Sequence, residues 1–330
     1  MEGGSYALSM LFWLGGLVIA SFFLSNGAES LSHFLGGKFV GRTLLSIATT
    51  LPEILIVFYA SKMALYGISL GSALGSNILM MSLGLAVMIL IATTRLSKKA
   101  VKEINIEGFK LDLVFLILTA ILGVVMFIDG YGIIDGFIFL VLFILYLIFA
   151  FHETKCERPL EIEKKPVTLR SVTKASLFFL VGTVGTILCA EPFIHSLEGF
   201  AGGIGVSVAV IAIILSPLAG EMPEKISVML LASRGERGVS ISIANVLGSK
   251  ILNNTLLLSI MIFGATLFHG IDAIINPNGL LKFQVYWTGI LTILAVSLMF
   301  DRKLTLSDGV TLTILYIASI GFQFVLLGFM

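Results

Sequence analysis

Charge is what this chain has least of. Only 12% of its 330 residues are Asp, Glu, Lys or Arg, where a soluble domain of this length carries about a quarter. Cysteine is nearly absent too. Cys156 lies in a polar stretch and Cys189 in an apolar run, which excludes a disulfide framework and a thiolate metal centre. No basic segment precedes the first apolar run, only Glu2, so that run reads as a membrane span rather than a signal peptide. No Ser/Lys or Ser/His pair, His-Glu-x-x-His or paired-Asp motif stands out in the apolar runs, which argues against an intramembrane enzyme. The formal net charge is +1 and says nothing about partners, because the charges sit in loops; no nucleic-acid partner and no cofactor are expected.

What is present is hydrophobic: 57% of the residues, in runs near the ~20 needed to cross a bilayer as a helix. The expected fold is an all-α membrane protein with ten spans, at 6–25, 39–61, 67–94, 111–128, 133–152, 174–195, 204–232, 239–267, 284–300 and 309–328. The longest polar segment, 153–173, divides it into halves 1–152 and 174–330. Five spans per half would leave the two halves inverted in the membrane. Sixteen Lys and Arg then fall in loops on one side, against Lys62 and Lys282 on the other; Arg42, Lys225 and Lys250 fall inside spans. The positive-inside rule places both termini outside.

The two halves share a motif. Ala48-Thr49-Thr50-Leu51-Pro52-Glu53 is followed by Gly71-Ser72-Ala73-Leu74-Gly75-Ser76-Asn77, and Ala219-Gly220-Glu221-Met222-Pro223-Glu224 by Ala244-Asn245-Val246-Leu247-Gly248-Ser249-Lys250. Register agrees: Asp135 lies 82 residues after Glu53, and Asp308 lies 84 after Glu224. A carboxylate at membrane depth is costly and marks a functional site. Two in matching positions point to an ion site at a repeat interface.

Proline removes a helix hydrogen bond and crowds the preceding turn. Pro52 and Pro223 are therefore expected to break their helices and turn carbonyls near Ala48 to Thr50 and Ala219 to Glu221 toward the glutamates. Hard cations take about six to eight oxygens of mixed type. Glu53, Glu224, Thr49, Thr50, Ser76, Asn77, Ser249 and Asn253 supply that mix, and Gly220 offers a carbonyl. The bland readings are a structural polar cluster, or serines that bond back to their own helix. Glu29 and Glu191 fall near span ends and read either as solvated ends or as part of an entry path; the four histidines read as interfacial groups, with proton coupling the lesser alternative.

These residues resemble the calcium/cation antiporter superfamily. In its sodium/calcium exchanger branch each repeat reads Gly-Thr-Ser-Leu-Pro-Glu, then Gly-Asn-x-x-Gly-Ser-Asn, and the first repeat here is similar throughout. The resemblance implies a ten-helix inverted repeat with a cation site between spans 2, 3, 7 and 8. Glu53 and Glu224 would be paired calcium ligands, with Thr49, Ser76 and the carbonyls near Ala48 and Ala219 around them. The second repeat departs from the family wording at Gly220-Glu221 and at Lys250. Met80 and Asn253 stand where sodium-binding exchangers tend to carry amide or carboxylate groups.

The expected activity is exchange of calcium for a second cation. Two close carboxylates hold either calcium or protons, so Glu53, Glu224 and Glu221 are the proton-coupling candidates. The missing oxygen ligands favour protons over sodium, while the first motif's wording favours sodium; sodium/calcium exchange stays open, and a cation channel is the remote alternative. Lys250 is expected to pair with Glu221 as a fixed internal charge, the alternative being a side chain that snorkels away. A functional monomer in the plasma membrane of a prokaryote is the simplest setting.

Overall fold

The structure is a computed structural model that describes residues 2–35, 38–97, 99–156 and 169–327. It is built from α1 (Glu2–Leu35), α2 (Lys38–Lys62), α3 (Tyr66–Leu79), α4 (Leu85–Thr93), α5 (Lys110–Met126) and α6 (Ile133–Cys156), then α7 (Leu169–Gly203), α8 (Val208–Ala232), α9 (Glu236–Leu252), α10 (Leu258–His269), α11 (Gly279–Ser297) and α12 (Leu306–Leu327). Single π turns, Met80–Gly84 and Asn253–Leu257, join α3 to α4 and α9 to α10 into continuous rods. The π turns begin 27 residues after Glu53 and 29 after Glu224. Both open on the residues, Met80 and Asn253, that the sequence pairs across the halves.

Eight helical stretches among the described residues are long and apolar enough to cross a membrane. Val208–Met222 of α8 is a shorter apolar helix. Large apolar side chains such as Leu8, Phe12, Ile134, Leu188 and Ile317 are exposed, as lipid-facing residues are.

Two expectations need correction. Pro52 and Pro223 do not break their helices: α2 and α8 run through them. One lost N–H per proline is tolerable when the opposite carbonyl finds another donor. Ala219 O, four residues before Pro223, accepts from Ser21 Oγ of α1 at 3.4 Å. α1 and α7 also outrun their expected spans. At 34 and 35 residues they are about 50 Å long, longer than the ~30 Å hydrocarbon layer, so each must tilt or protrude. They pack on each other where Gly27 meets the Phe179 backbone and Gly182 meets Leu24.

The loops of the two halves pair reciprocally. Strand β1 (Ile104–Asn105), before α5, is antiparallel to β2 (Lys303–Leu304), before α12. After α5, Tyr131 forms a β-bridge with Ile275, before α11. Ile104 lies 51 residues after Glu53 and Ile275 lies 51 after Glu224. Tyr131 and Leu304 lie 78 and 80 residues after the same glutamates. Each half thus contributes the same two loops, at opposite ends of α5, and each loop meets its non-equivalent partner. The first turns of α6 and α12 match as well: Asp135 Oδ2 accepts from Gly132 N, and Asp308 Oδ2 from Thr305 N, both at 2.7 Å.

The core has two parts. The larger fills the space among α3 to α6 and α8 to α12, and the smaller lies among α1, α2, α7 and α8, with Leu17, Ile56, Phe193 and Ala219. α2 and α8 belong to the seam between them, and there the polar residues collect.

Candidate cation site

Four helices, α2, α3, α8 and α9, meet at the seam. Helical spacing puts Thr50 and Glu53 on one turn of α2, and Ser72 and Ser76 on successive turns of α3. α8 contributes Ala219, Gly220, Glu221 and Glu224, and α9 contributes Ser249 and Lys250, with Asn253 opening the π turn. Glu53, Lys250, Ser76 and Asn253 are 0% exposed, and Glu221, Glu224, Thr50, Asn77 and Ser249 are buried. The side chains of Ala48 and Thr49 lie outside the described residues.

α2 and α8 approach closely because of Gly220. A β-carbon there would stand 2.5 Å from Glu53 Cγ, so the Glu53 stem lies where a serine or threonine side chain would be. α3 and α8 approach through Gly75, which rests on the Ile213 backbone.

The carboxylates fall into two kinds. Both oxygens of Glu53 and both of Glu224 are buried with no hydrogen-bond partner among the described residues. Asn77 Oδ1 and the hydroxyls of Ser72 and Ser216 are in the same condition. A buried polar group normally has a partner, and a bare buried carboxylate costs several kcal/mol. Glu53 and Glu224 are therefore groups that a cation, a proton or water can satisfy.

Glu221 is ion-paired instead, although its Oε2 also makes no hydrogen bond among the described residues. Lys250 Nζ donates to its Oε1 at 2.5 Å, and Lys225 Nζ lies 3.4 Å from its Oε2. Lys225 also donates to Pro217 O at 2.6 Å. Lys250 donates to Ser76 Oγ as well. Asn253 completes this group when its amide is oriented to satisfy both ends. Its Nδ2 then donates to Ser249 O at 3.2 Å, while its Oδ1 accepts from Ser76 Oγ at 3.0 Å and Lys250 Nζ at 3.2 Å.

The structure joins Lys250, Glu221, Ser76 and Asn253 in one hydrogen-bonded group, sets Gly220 against Glu53, and divides the roles of the others. Ser76 and Asn253 attend Lys250. Ser249 Oγ bonds back to Val246 O at 3.1 Å. Asn77 Nδ2 donates to Asn254 Oδ1, whose own amide reaches Thr119 at 3.3 Å. Lys225, Ser21, Asn254 and Thr119 were not foreseen. Only Lys225 carried a signal, standing four residues after Glu221 on the same helix face.

The donor set fits a hard cation. Among the described residues no three His, Cys, Asp or Glu side chains form a metal-holding group. A cation at Glu53 and Glu224 would draw its remaining oxygens from neutral groups such as Asn77 Oδ1, which suits calcium better than a transition metal.

The chain resembles known proteins over most of its length. The chain is 31% identical over 249 residues to an uncharacterized membrane protein of Methanocaldococcus jannaschii, covering 74% of this chain and 78% of that one. It is 25% identical to CaxA of Alkalimonas amylolytica, over 97% and 98% of the two chains. Its fold resembles the crystal structure of the H+/Ca2+ exchanger CAX at a TM-score of 0.82, with 21% identity over 96% of this chain and 81% of that one. Against the sodium-calcium exchanger NCX_Mj, soaked with Na+ and Sr2+, the TM-score is 0.63, with 28% identity over 97% and 98%. The profile of the family described as sodium/calcium exchanger protein matches residues 5–152 and 174–325. The chain is a helical membrane protein that belongs to the sodium/calcium exchanger family of calcium/cation antiporters.

Proposed function

We propose that the chain exchanges Ca2+ for H+ by alternating access, with Glu53 and Glu224 as the shared site. The observation that carries this reading is the division of the carboxylates. Glu53 and Glu224 have four buried oxygens free of partners, while Glu221, Ser76 and Asn253 are committed to Lys250. Calcium needs the two free carboxylates and neutral oxygens beside them. Sodium would need further oxygens, and the Ser76 hydroxyl and the Asn253 amide oxygen already serve an ammonium. Met80, buried where the second half has Asn253, offers only a thioether.

Sodium/calcium exchange is the second reading. It is favoured by the 28% identity to NCX_Mj over nearly the full length of both chains.

The architecture proposed with this function is ten spans in two inverted halves, 1–152 and 174–330, with 153–173 as a cytoplasmic connection. Reciprocal pairing of β1 with β2 and of Tyr131 with Ile275 supports inversion, since equivalent loops fall at opposite ends of α5. Arg302, Lys303 and Lys102 lie at or beside the β1–β2 end, whereas Lys62 and Lys282 are the basic residues of the other end. The positive-inside rule then assigns the β1–β2 end to the cytoplasm and both termini to the outside, in a prokaryotic plasma membrane. Internal symmetry and one central site favour a transporting monomer over a channel.

The test is uptake of radioactive calcium into proteoliposomes under an imposed proton gradient or an imposed sodium gradient. Uptake driven by protons alone, and lost in Glu53→Gln and Glu224→Gln, is expected. Uptake driven by sodium alone selects the second reading.

A further inference from the structure

Lys250 is the residue that the proposed exchange leaves unused. It is 0% exposed, so its stem does not snorkel to water. Its ammonium has three donors. They meet Glu221 Oε1 at 2.5 Å, Ser76 Oγ, and Asn253 Oδ1 at 3.2 Å. These are a carboxylate, a hydroxyl and an amide oxygen from α8, α3 and the π turn after α9. They are the oxygen types that hold a monovalent metal cation, and they converge from three separate elements on one positive charge.

The matching position of the first half sharpens the point. Lys250 stands 26 residues after Glu224, and Asn77 stands 24 after Glu53. Glu221 stands three before its proline-glutamate partner, as Thr50 does before Glu53. The second half therefore carries an acid and a base where the first carries two neutral polar groups. Acid and base enter together and cancel. Breaking a buried pair by removing one partner leaves a stranded charge, which is far costlier than removing both.

Resting on the exchange reading above, we propose that Lys250 is a tethered cation. Its ammonium permanently fills an oxygen cradle formed by Glu221, Ser76 and Asn253 that would otherwise bind a monovalent metal ion. Among the described carboxylates of the site, Glu53 and Glu224 then remain open to ions from solution, and no mobile sodium or potassium ion is needed to neutralise the second half of the site. Lys225, 3.4 Å from the other oxygen of Glu221 and bonded to Pro217 O, holds that carboxylate in place.

The test is thermal melting of the full-length purified protein in lipid nanodiscs. NaCl or KCl is titrated against N-methyl-D-glucamine chloride at constant ionic strength, because a ligand that binds only the folded state raises the melting temperature. Wild type is expected to show no sodium- or potassium-specific shift. Lys250→Met keeps the stem without the charge, and it is expected to gain a saturable rise in melting temperature with one of the two ions. The double variant Glu221→Gln/Lys250→Met is expected to lose that rise. A Lys250→Met protein that folds only when sodium or potassium is present supports the proposal equally.

A Lys250→Met protein that melts identically in all three salts overturns it. So does one that stays unfolded in every salt, whether or not the double variant folds, because then no mobile ion can stand in for the ammonium. A wild type that already shows the same monovalent shift also overturns it. Calcium is titrated in the same melts: a wild type indifferent to calcium rejects the exchange reading, whereas the monovalent comparison judges Lys250 separately.

Discussion

A β-carbon on Gly220 would stand 2.5 Å from Cγ of Glu53, which makes this glycine part of the site although it offers no side chain. The chain uses the space that a side chain at 220 would fill for the stem of the opposite glutamate. Gly220→Ser adds an oxygen ligand and is still expected to harm the protein's activity, because Glu53 must move. Calcium uptake should fall at least about tenfold, as misplacement of a reacting group by an ångström does elsewhere. Gly220→Ser uptake equal to wild type would mean that Glu53 does not need this position.

The close approach of α3 to α8 gives a second expectation. Gly75 lies against the Ile213 backbone, which cannot yield as a flexible side chain does. Gly75→Ala should destabilise the protein by about 1–3 kcal/mol, the usual cost of overpacking. Gly321, in α12 with nothing within 4 Å of its would-be β-carbon, is the control. Gly321→Ala should leave stability unchanged or raise it by up to about 1 kcal/mol, since glycine is a poor helix former. Melting of the two variants side by side checks the contrast.

Asp135 and Asp308 hold the first turns of α6 and α12 in the same way. Asp308 also accepts from Thr305 Oγ1 at 2.7 Å. Replacement of either by alanine should cost about 1 kcal/mol, the usual worth of a helix cap, with Asp308→Ala the larger. Losses in melting temperature at both positions, the larger at Asp308, would agree with two halves built alike. A loss at only one would show that the caps are not equivalent.

The sequence made the site legible through cost. A Pro-Glu in an apolar run is improbable without a purpose, and finding it twice in register located Glu53 and Glu224 and paired Met80 with Asn253. The ion pair of Lys250 with Glu221 followed from the same logic, since neither charge survives alone at that depth. Lys225 was readable by helical spacing but was left unpaired. The π turns were not readable: each shifts the helical phase by one residue in a stretch that is apolar nearly all round, so no periodicity records it. The contacts of Ser21 with Ala219 and of Asn254 with Asn77 join positions far apart in the chain, and only the packing of the helices reveals them. The length of α1 and α7 was hidden for a related reason. Apolar content marks what the lipid covers, not where a helix ends.

The most direct measurement of the central claim is calorimetric titration of the purified protein with calcium in two buffers of different ionisation heat. The difference between them counts the protons released when calcium binds. If Glu53 and Glu224 hold calcium and protons in turn, binding should release up to about two protons per calcium in sodium-free solution, and Glu53→Gln/Glu224→Gln should neither bind calcium nor release protons. Calcium binding with no proton release, or binding that survives in the double variant, would contradict the account.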